Sequence, residues 1–463
     1  MDSETKKTVE EQLKEFAKGD CWMPLSKEAT ADYMDDLRGK IKGHTLPCLE
    51  KEIIEEISAY IDPVIIEFYD LINNNSIVRM NFKNMIDQVP AYYREPGAPG
   101  FYLRSTDEML LLINHILKTA PKYNDTDLVG FPINTILNWT MGVPAGAAAF
   151  RNESVNKMFR KVLAVWTEYL NSQDSLSVFT KEKDGWCCEE SLAKLKMEQY
   201  LNEPELTQFK NGIKNVTDPF PYKSWNDFFI RPFKDAEQRP IAETPLVSAC
   251  DSQVYNMQKG AKLQDWFWLK SQPYSLWDML ANKDEDGTED FCKVTSDEEH
   301  FRKYVKPFEG GTVYQAFLSA FKYHRWNSPV AGKVVKAYVK EGTYYSATQS
   351  EGMDQGSPDQ SQGYIAHTAA RALIYIQADD PAIGLMCVIP IGMSEVSSCI
   401  ISPQILKDLD EKNESIVKKG SELGYFQFGG STHCLVFQKD VINEFTVKKD
   451  ETIQVGQSIA VLK

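Results

Sequence analysis

The hydrophobic period of the sequence changes about half-way along, and this change restricts the folds that the chain can adopt. Up to about residue 200, apolar residues recur every three or four positions, which is the period of amphipathic helices. After Ile241 the apolar runs are short and rich in β-branched residues, a pattern typical of strands. A block of helices followed by a block of strands predicts an α+β protein rather than an alternating α/β fold.

Prolines mark the boundary between the two blocks. Pro204, Pro219 and Pro221 lie within residues 202–223, which we interpret as a linker with one short helix. Ser224, followed three residues later by Asp227, then predicts the start of a helix. The sequence therefore predicts a helical N-terminal domain at residues 1–201 and a β-rich domain at residues 224–463. At 463 residues, the chain is long enough for each part to bury a substantial core.

Charge and composition exclude several classes of partner. The net charge of −15 argues against nucleic acid and gives no help in binding anionic lipid surfaces. The longest near-apolar run, Ile383–Met393, is too short to span a bilayer, and the N-terminus lacks the apolar core of a secretory signal. Nine scattered cysteines without a Cys-x-x-Cys pair suit reduced thiols. We therefore expect a cytoplasmic protein with no transmembrane segment.

One acidic stretch resembles a calcium-binding loop but lacks the necessary ligand. Asn282–Glu289 is rich in acidic residues, yet the twelfth position counted from Asn282 is Lys293 rather than a bidentate glutamate. We interpret the stretch as an acidic surface loop. The sequence predicts no metal site.

A reactive serine is the first chemical hypothesis. Gly429 and Gly430 precede Ser431 and Thr432 between two strand-like runs. Glycine tolerates a bent backbone, so the Ser431 hydroxyl could reach the Gly430 carbonyl and shift the acyl group from nitrogen to oxygen. Elimination of the resulting ester would cut the chain and leave a ketoacyl group at residue 431. The alternative is that Gly-Gly-Ser forms only a β-turn.

An activated serine needs a base and a group that orients the base. Of six histidines, His324 lies in the polar and aromatic stretch Tyr323–Asn327, and Asp251 follows a short predicted strand at Leu246–Ala249. His115 has no acidic or cysteine partner at ligand spacing, and we interpret it as a packed or surface histidine. Asp251 on its own is also compatible with a turn aspartate.

Three motifs together resemble the phosphatidylserine decarboxylase superfamily of pyruvoyl-dependent enzymes. They are the Phe-Gly-Gly-Ser-Thr run at 428–432, the Phe-Leu-Ser…Tyr-His-Arg-x-Asn-x-Pro run at 317–329, and the Ser-Trp-Asn-Asp-Phe-Phe-Ile-Arg-Pro run at 224–232. The resemblance implies self-cleavage between Gly430 and Ser431, with Asp251 as the triad carboxylate and Gly429 and Thr432 in supporting positions. It also implies a covalent pyruvoyl group made from Ser431, and two chains, 1–430 and 431–463, from one precursor.

The same resemblance implies a reaction. The pyruvoyl ketone would form a Schiff base with an amine-bearing substrate and accept electrons as CO₂ leaves, and His324 would return a proton. The family signature has a second histidine, generally assigned as the cleavage base, where this chain has Asn327. Asparagine cannot accept a proton at neutral pH. Either His324 serves both steps, or the chain is an uncleaved, non-catalytic relative.

Further stretches resemble the fungal L-tryptophan decarboxylase branch, namely Ala145–Phe150, Gly185–Trp186, Tyr274–Leu276 and Ile391–Cys399. This resemblance implies a free amino acid as substrate, with an aromatic one such as L-tryptophan as the candidate. The alternative is phosphatidylserine, which would give phosphatidylethanolamine. The run 328–334 also has the rhythm of a lipoyl or biotinyl carrier, but the sequence offers no lysine on a tight hairpin.

Overall fold

A computed structural model describes ten segments of the chain. They are residues 35–42, 61–91, 103–124, 131–265, 274–281, 298–318, 321–348, 361–395, 398–427 and 431–463. The acidic stretch Asn282–Glu289 and the glycines Gly429 and Gly430 lie outside the described residues.

The first part of the chain is helical, as the hydrophobic period predicts. Its helices are α1 (Pro63–Asn74), α2 (Ser76–Asp87), α3 (Thr106–Ile116), α4 (Pro132–Met141), α5 (Pro144–Ala149), α6 (Glu153–Asn171), α7 (Glu189–Leu195), α8 (Glu203–Asn211) and α9 (Trp225–Phe229). Shorter helical segments in the second part are α10 (Leu276–Met279), α11 (Glu298–His300), α12 (Gln362–Thr368) and α13 (Pro403–Lys412).

Local sequence signals fix where these helices begin. Pro63 occupies the first turn of α1, where a missing N–H costs nothing, and Asp62 caps the helix by accepting a hydrogen bond from the Val64 N–H. Ser224 caps α9 by accepting from the Asp227 N–H at 3.1 Å, and Asp227 accepts from the Lys223 N–H. The cap at Ser224 confirms the helix start predicted there.

The second part is β-rich. Its strands are β1 (Ser252–Lys259), β2 (Thr312–Leu318), β3 (Arg325–Asn327), β4 (Gly332–Lys340), β5 (Arg371–Ala378), β6 (Leu385–Gly392), β7 (Ser398–Ile401), β8 (Ser415–Val417), β9 (Glu422–Gln427), β10 (Ser431–Phe437), β11 (Ile442–Phe445), β12 (Thr452–Ile453) and β13 (Ala460–Leu462). The strand predicted at Leu246–Ala249 is wrong, because this segment makes only one isolated bridge, Val247 with Ser458.

Eight of these strands form one sheet in the order β12-β1-β2-β10-β6-β5-β4-β8. The neighbouring strands are antiparallel throughout, and β10 lies in the interior between β2 and β6. Smaller sheets are formed by β3-β9-β7 and by β11-β13. The α+β class predicted from the sequence is confirmed.

One end of the large sheet gathers the ends of several strands. Ser431 pairs with Leu318, the last residue of β2, and with Gly392, the last residue of β6. On the far side of β6, Ile391 pairs with Arg371, the first residue of β5. Near this end, Gln253 of β1 pairs with Phe317. We call it the Ser431 end of the sheet.

The core of the helical region extends over the Ser431 end. Tyr323, Tyr344 and Tyr345, which belong to the second half of the chain, lie in the same buried cluster as the helical residues Phe159 and Trp186. A hydrogen bond of 3.1 Å from the Tyr344 N–H to the Asn156 side chain joins the two parts. The two halves therefore pack against each other through a shared buried cluster.

Candidate active site

Ser431 is the first residue of β10 and is completely buried. Its Oγ atom has no hydrogen-bond partner among the described residues. A buried hydroxyl normally has a partner, because an unsatisfied polar group costs about 1–3 kcal/mol. The Ser431 hydroxyl is therefore buried and forms no hydrogen bond with the described residues.

The neighbouring hydroxyl of Thr432 is engaged. Its Oγ1 atom lies 3.0 Å from the Ala316 carbonyl oxygen, 3.0 Å from Gln362 Oε1 and 3.2 Å from Gln315 Nε2. Gln315 in turn accepts a hydrogen bond of 2.6 Å from the Tyr274 hydroxyl. Because strand residues alternate in direction, this network lies on the opposite side of β10 from Ser431. Thr432 thus anchors the strand that presents Ser431.

His324 lies between β2 and β3, close to the end of β9. Its imidazole is fully buried and stacks on Phe229 of α9, with ring centroids 3.9 Å apart and ring planes 26° apart. Its carbonyl oxygen accepts a 2.9 Å hydrogen bond from the Phe426 N–H. The run at 224–232, which carried part of the family resemblance, therefore forms the platform under the imidazole.

Asp251 directly precedes β1 and is nearly buried. Its carboxylate forms a bidentate ion pair with Arg239, and it accepts a 2.8 Å hydrogen bond from the Val455 N–H. Its hydrogen bonds within the described segments reach neither His324 nor Ser431. The structure places Asp251 near the Ser431 end, but its observed partner is Arg239.

Asn327 is held by the backbone on both sides. Its side-chain amide donates a 2.8 Å hydrogen bond to the Gly420 carbonyl, and its N–H donates one of 2.9 Å to the Ala249 carbonyl. The Oδ1 atom has no partner among the residues described. Asn327 therefore acts as a brace between three segments in this structure, and its chemistry gives it no role as a base.

His433 is a second buried histidine, and it lies on the same side of β10 as Ser431. The sequence patterns predicted no role for it. It lies two positions after Ser431, and neither ring nitrogen has a hydrogen-bond partner in the described part of the chain. Burial lowers the pKa of His433 to about 4, an effect partly offset by the Ala316 backbone. His433 is therefore neutral at pH 7. The alternation of strand side chains from Ser431 was the sequence signal that could have identified it.

Glu395 is a further residue without a predicted role. It follows β6 and accepts a 2.6 Å hydrogen bond from the Asn134 N–H in the first turn of α4. Burial raises the pKa of the Glu395 carboxyl to about 8, although the backbone N–H of Asn134 opposes the shift. Its partner is 261 residues away in sequence, so only the folded chain reveals the contact.

These residues fit the formation of a covalent group at position 431. The hydroxyl of Ser431 is buried and has no hydrogen-bond partner in the described part of the chain. Thr432 anchors the strand that carries Ser431. The buried imidazole of His324 lies between β2 and β3. The structure locates no cluster of metal-ligating side chains within the described residues. Among those residues, no helix is both long and apolar enough to cross a membrane.

Comparisons with known proteins identify the family of this chain. Two family models, both described as phosphatidylserine decarboxylase, match residues 62–195 and 225–461. A protein named decarboxylase iboD from Amanita muscaria is 35% identical over 66% of this chain and 84% of its own length. An L-tryptophan decarboxylase from Psilocybe cyanescens is 30% identical over 95% of this chain and 93% of its own length.

A phosphatidylserine decarboxylase proenzyme from Fusobacterium nucleatum is 28% identical over 56% of this chain and 72% of its own length. The second family model covers Asp251, His324, Glu395, Ser431 and the residues between them. The chain is a carboxy-lyase and belongs to the phosphatidylserine decarboxylase family.

Proposed function

We propose that this chain is a pyruvoyl-dependent decarboxylase that cuts itself between Gly430 and Ser431 and removes CO₂ from a free amino acid. The observation that carries the proposal is the buried Oγ of Ser431, which lies at the start of an interior strand and has no partner among the described residues. The two glycines that precede it in sequence permit the backbone bend that attack on the Gly430 carbonyl requires.

The chain's own residues supply the proton transfers. His324 is the candidate base for Ser431 and the candidate acid that returns a proton to substrate carbon, since an imidazole can do both near neutral pH. Its stacking on Phe229 fixes the plane of the ring. A pyruvoyl group at residue 431 supplies a ketone that reacts with amines and draws electrons from the bond to the leaving carboxylate.

Coverage of the relatives supports a free amino acid as substrate. The fungal tryptophan decarboxylases match 95% and 86% of this chain, including the helical region, whereas the Fusobacterium nucleatum phosphatidylserine decarboxylase proenzyme matches 56%. Asn134 of the helical region contacts Glu395, three residues beyond the strand partner of Ser431, which supports a role for the helical region in substrate binding. An aromatic amino acid such as L-tryptophan is the first candidate, and phosphatidylserine is the competing substrate.

The proposed protein is a pair of chains, 1–430 and 431–463, located in the cytoplasm. The six cysteines in the described part of the chain are all buried free thiols. This state is the one expected in a reducing compartment.

Intact-mass measurement of the purified protein tests the proposal. We expect a small chain of residues 431–463 with a pyruvoyl group in place of Ser431, and covalent capture of an added amine upon borohydride reduction. Ser431→Ala is the matched control and should remain a single chain.

Substrates are then screened by CO₂ release from L-tryptophan, other amino acids and phosphatidylserine in vesicles. A wild-type protein that remains uncut at full mass would identify Asn327 as decisive and would leave the non-catalytic relative as the answer. If only phosphatidylserine releases CO₂, then phosphatidylserine rather than a free amino acid is the substrate.

A further inference from the structure

Three buried polar atoms lie where the helical region meets the loop after β6. They are Glu395 Oε2, Asn134 Nδ2 and Tyr345 Oη, on side chains that are 0%, 0% and 1% exposed. None of the three atoms has a hydrogen-bond partner among the described residues. Buried polar atoms usually have a hydrogen-bond partner, and these three lie on neighbouring segments where one ligand could bind all of them.

The surrounding structure holds these atoms in place. Glu395 Oε1 accepts a hydrogen bond of 2.6 Å from the Asn134 N–H, and Asn134 Oδ1 accepts one of 2.6 Å from the Ser394 hydroxyl. Ser394 has a positive φ of 54°, which is costly for a residue with a side chain. The Tyr345 ring packs against the Phe159 ring, with the ring centroids 4.7 Å apart. The second polar atom of Glu395 and of Asn134, and the Tyr345 hydroxyl, are therefore available to a ligand.

All three groups present hydrogen-bond donors at neutral pH. Glu395 is protonated because burial raises its pKa to about 8, and no charged side chain in the described segments contributes to this shift. The titratable group that faces it is the Tyr345 phenol, whose own pKa burial raises well above its ordinary value. α4 contributes only uncharged residues. Two hydroxyl donors and an amide donor, with no cation, match an anionic oxygen acceptor.

The strand order places this cluster on the substrate side of residue 431. Gly392 pairs with Ser431, and β6 is antiparallel to β10. The chain leaving β6 therefore runs past the first residue of β10 and reaches Glu395 three residues later. A molecule attached to a ketoacyl group at residue 431 would extend in the same direction, beyond the start of β10.

We propose that Glu395, Asn134 and Tyr345 bind the α-carboxylate of the substrate through neutral hydrogen bonds. This inference rests on the decarboxylase function proposed above, and it names the subsite that receives the group to be lost. A carboxylate held by neutral donors in a dry site receives no ion pair to offset its desolvation, which favours its departure as CO₂. An ionised Glu395 would repel it.

Noncovalent binding tests this subsite separately from turnover. The processed wild-type protein is reduced with borohydride, so that residue 431 can no longer react with amines, and titrated calorimetrically with the amino acid that it decarboxylates best. We expect the amino acid to bind at least tenfold more tightly than the corresponding amine at about pH 7. Affinity should fall about thirtyfold at about pH 9.5, where most Glu395 is ionised.

Glu395→Gln provides the decisive comparison, because glutamine keeps a neutral donor and cannot titrate. Its affinity should change with pH only as the ligand's own amine titrates, and the difference from wild type isolates Glu395. Tyr345→Phe should weaken binding about tenfold at both pH values. Glu444→Gln on β11 is the control and should behave as wild type. Self-cleavage of each variant reports its folding.

Two results would overturn the inference while leaving the proposed function intact. They are equal affinity for the amino acid and the amine, and a pH dependence in the wild type that matches that of Glu395→Gln. The comparison of the amino acid with the amine uses the wild type alone, so it decides the question even if the variant does not fold. A wild-type chain that is never cut, or that decarboxylates no amino-bearing acid, removes the proposed function and the subsite together.

Discussion

The two sides of β10 hold adjacent hydroxyl groups in opposite states. On one side the hydroxyl of Thr432 is surrounded by Ala316, Gln315 and Gln362. On the other side Ser431 and His433 are equally buried, but their polar atoms have no partners in the described part of the chain. The comparison teaches that burial alone does not define the reactive group. The hydrogen bonds of Thr432 hold the strand in place on one side. On the other side, Ser431 and His433 have polar atoms that could take part in a reaction.

The largest effect should come from removing the hydroxyl that has no partner. Ser431→Ala should abolish self-cleavage completely, because no other atom at that position can attack the Gly430 carbonyl. Denaturing electrophoresis and intact mass should show one chain of 52.7 kDa. Thr432→Ser retains the hydroxyl on the opposite side and should still be cut. Cleavage of the alanine variant would refute the role of Ser431.

The second effect concerns the imidazole near this strand. His324→Gln should slow cleavage about 10²–10⁴-fold, the usual contribution of a general base. The time course of small-chain appearance measures the rate, and Asn327→His should accelerate it by restoring the second histidine of the family signature. An unchanged rate in His324→Gln would mean that another group, such as His433 on the Ser431 side, takes the proton.

The third effect is a pH dependence of stability on the Ser431 side. The pKa of folded His433 is about 4, below its ordinary value of 6.5, so the unfolded chain binds more protons between these limits. Stability should therefore fall as pH drops from 6.5 towards 4, and His433→Leu should remove about 3 kcal/mol of that loss. Urea unfolding at several pH values measures it, with His115→Gln as control. The buried His367, whose pKa is about 3, should keep a residual slope.

The smallest effect should come from a change at Thr432, on the side of β10 where the hydroxyl is hydrogen-bonded. Thr432→Val leaves Gln315 and Gln362 without their shared partner and should lower the free energy of unfolding by about 1–3 kcal/mol. Cleavage should continue, since Ser431 is unchanged. Urea unfolding measures the loss against Thr446→Val, an exposed threonine. A variant that is as stable as wild type but uncut would reverse the assignment of the two sides.

Sequence patterns predicted the elements whose signals are local. The change of hydrophobic period gave the α+β class, and Ser224 gave the start of α9 because a capping side chain bonds within its own turn. The motifs at 317–329 and 428–432 pointed to His324 and Ser431, which the folded chain buries near one sheet end. Their roles as base and cleavage residue remain predictions.

Contacts between distant segments were beyond sequence reasoning. The Arg239 guanidinium pairs with Asp251, and Glu395 meets the first turn of α4, yet neither pairing leaves a periodic trace. The short segment at Leu246–Ala249 has strand-like residues but only one bridge, because β-propensity does not provide a neighbouring strand. An acidic residue within an apolar run, such as Glu395, is a sequence signal for a buried polar contact.

The interior position of β10 determines what a cut between residues 430 and 431 would produce. Both neighbours of β10, β2 and β6, belong to the longer product, and β12 and β1 add a second seam between the products. The shorter product could leave only if the large sheet opened, so it would be a subunit that never exchanges with free copies in solution. Maturation would thus be a one-way covalent event inside an unbroken fold, and two separately expressed products could assemble only by folding together.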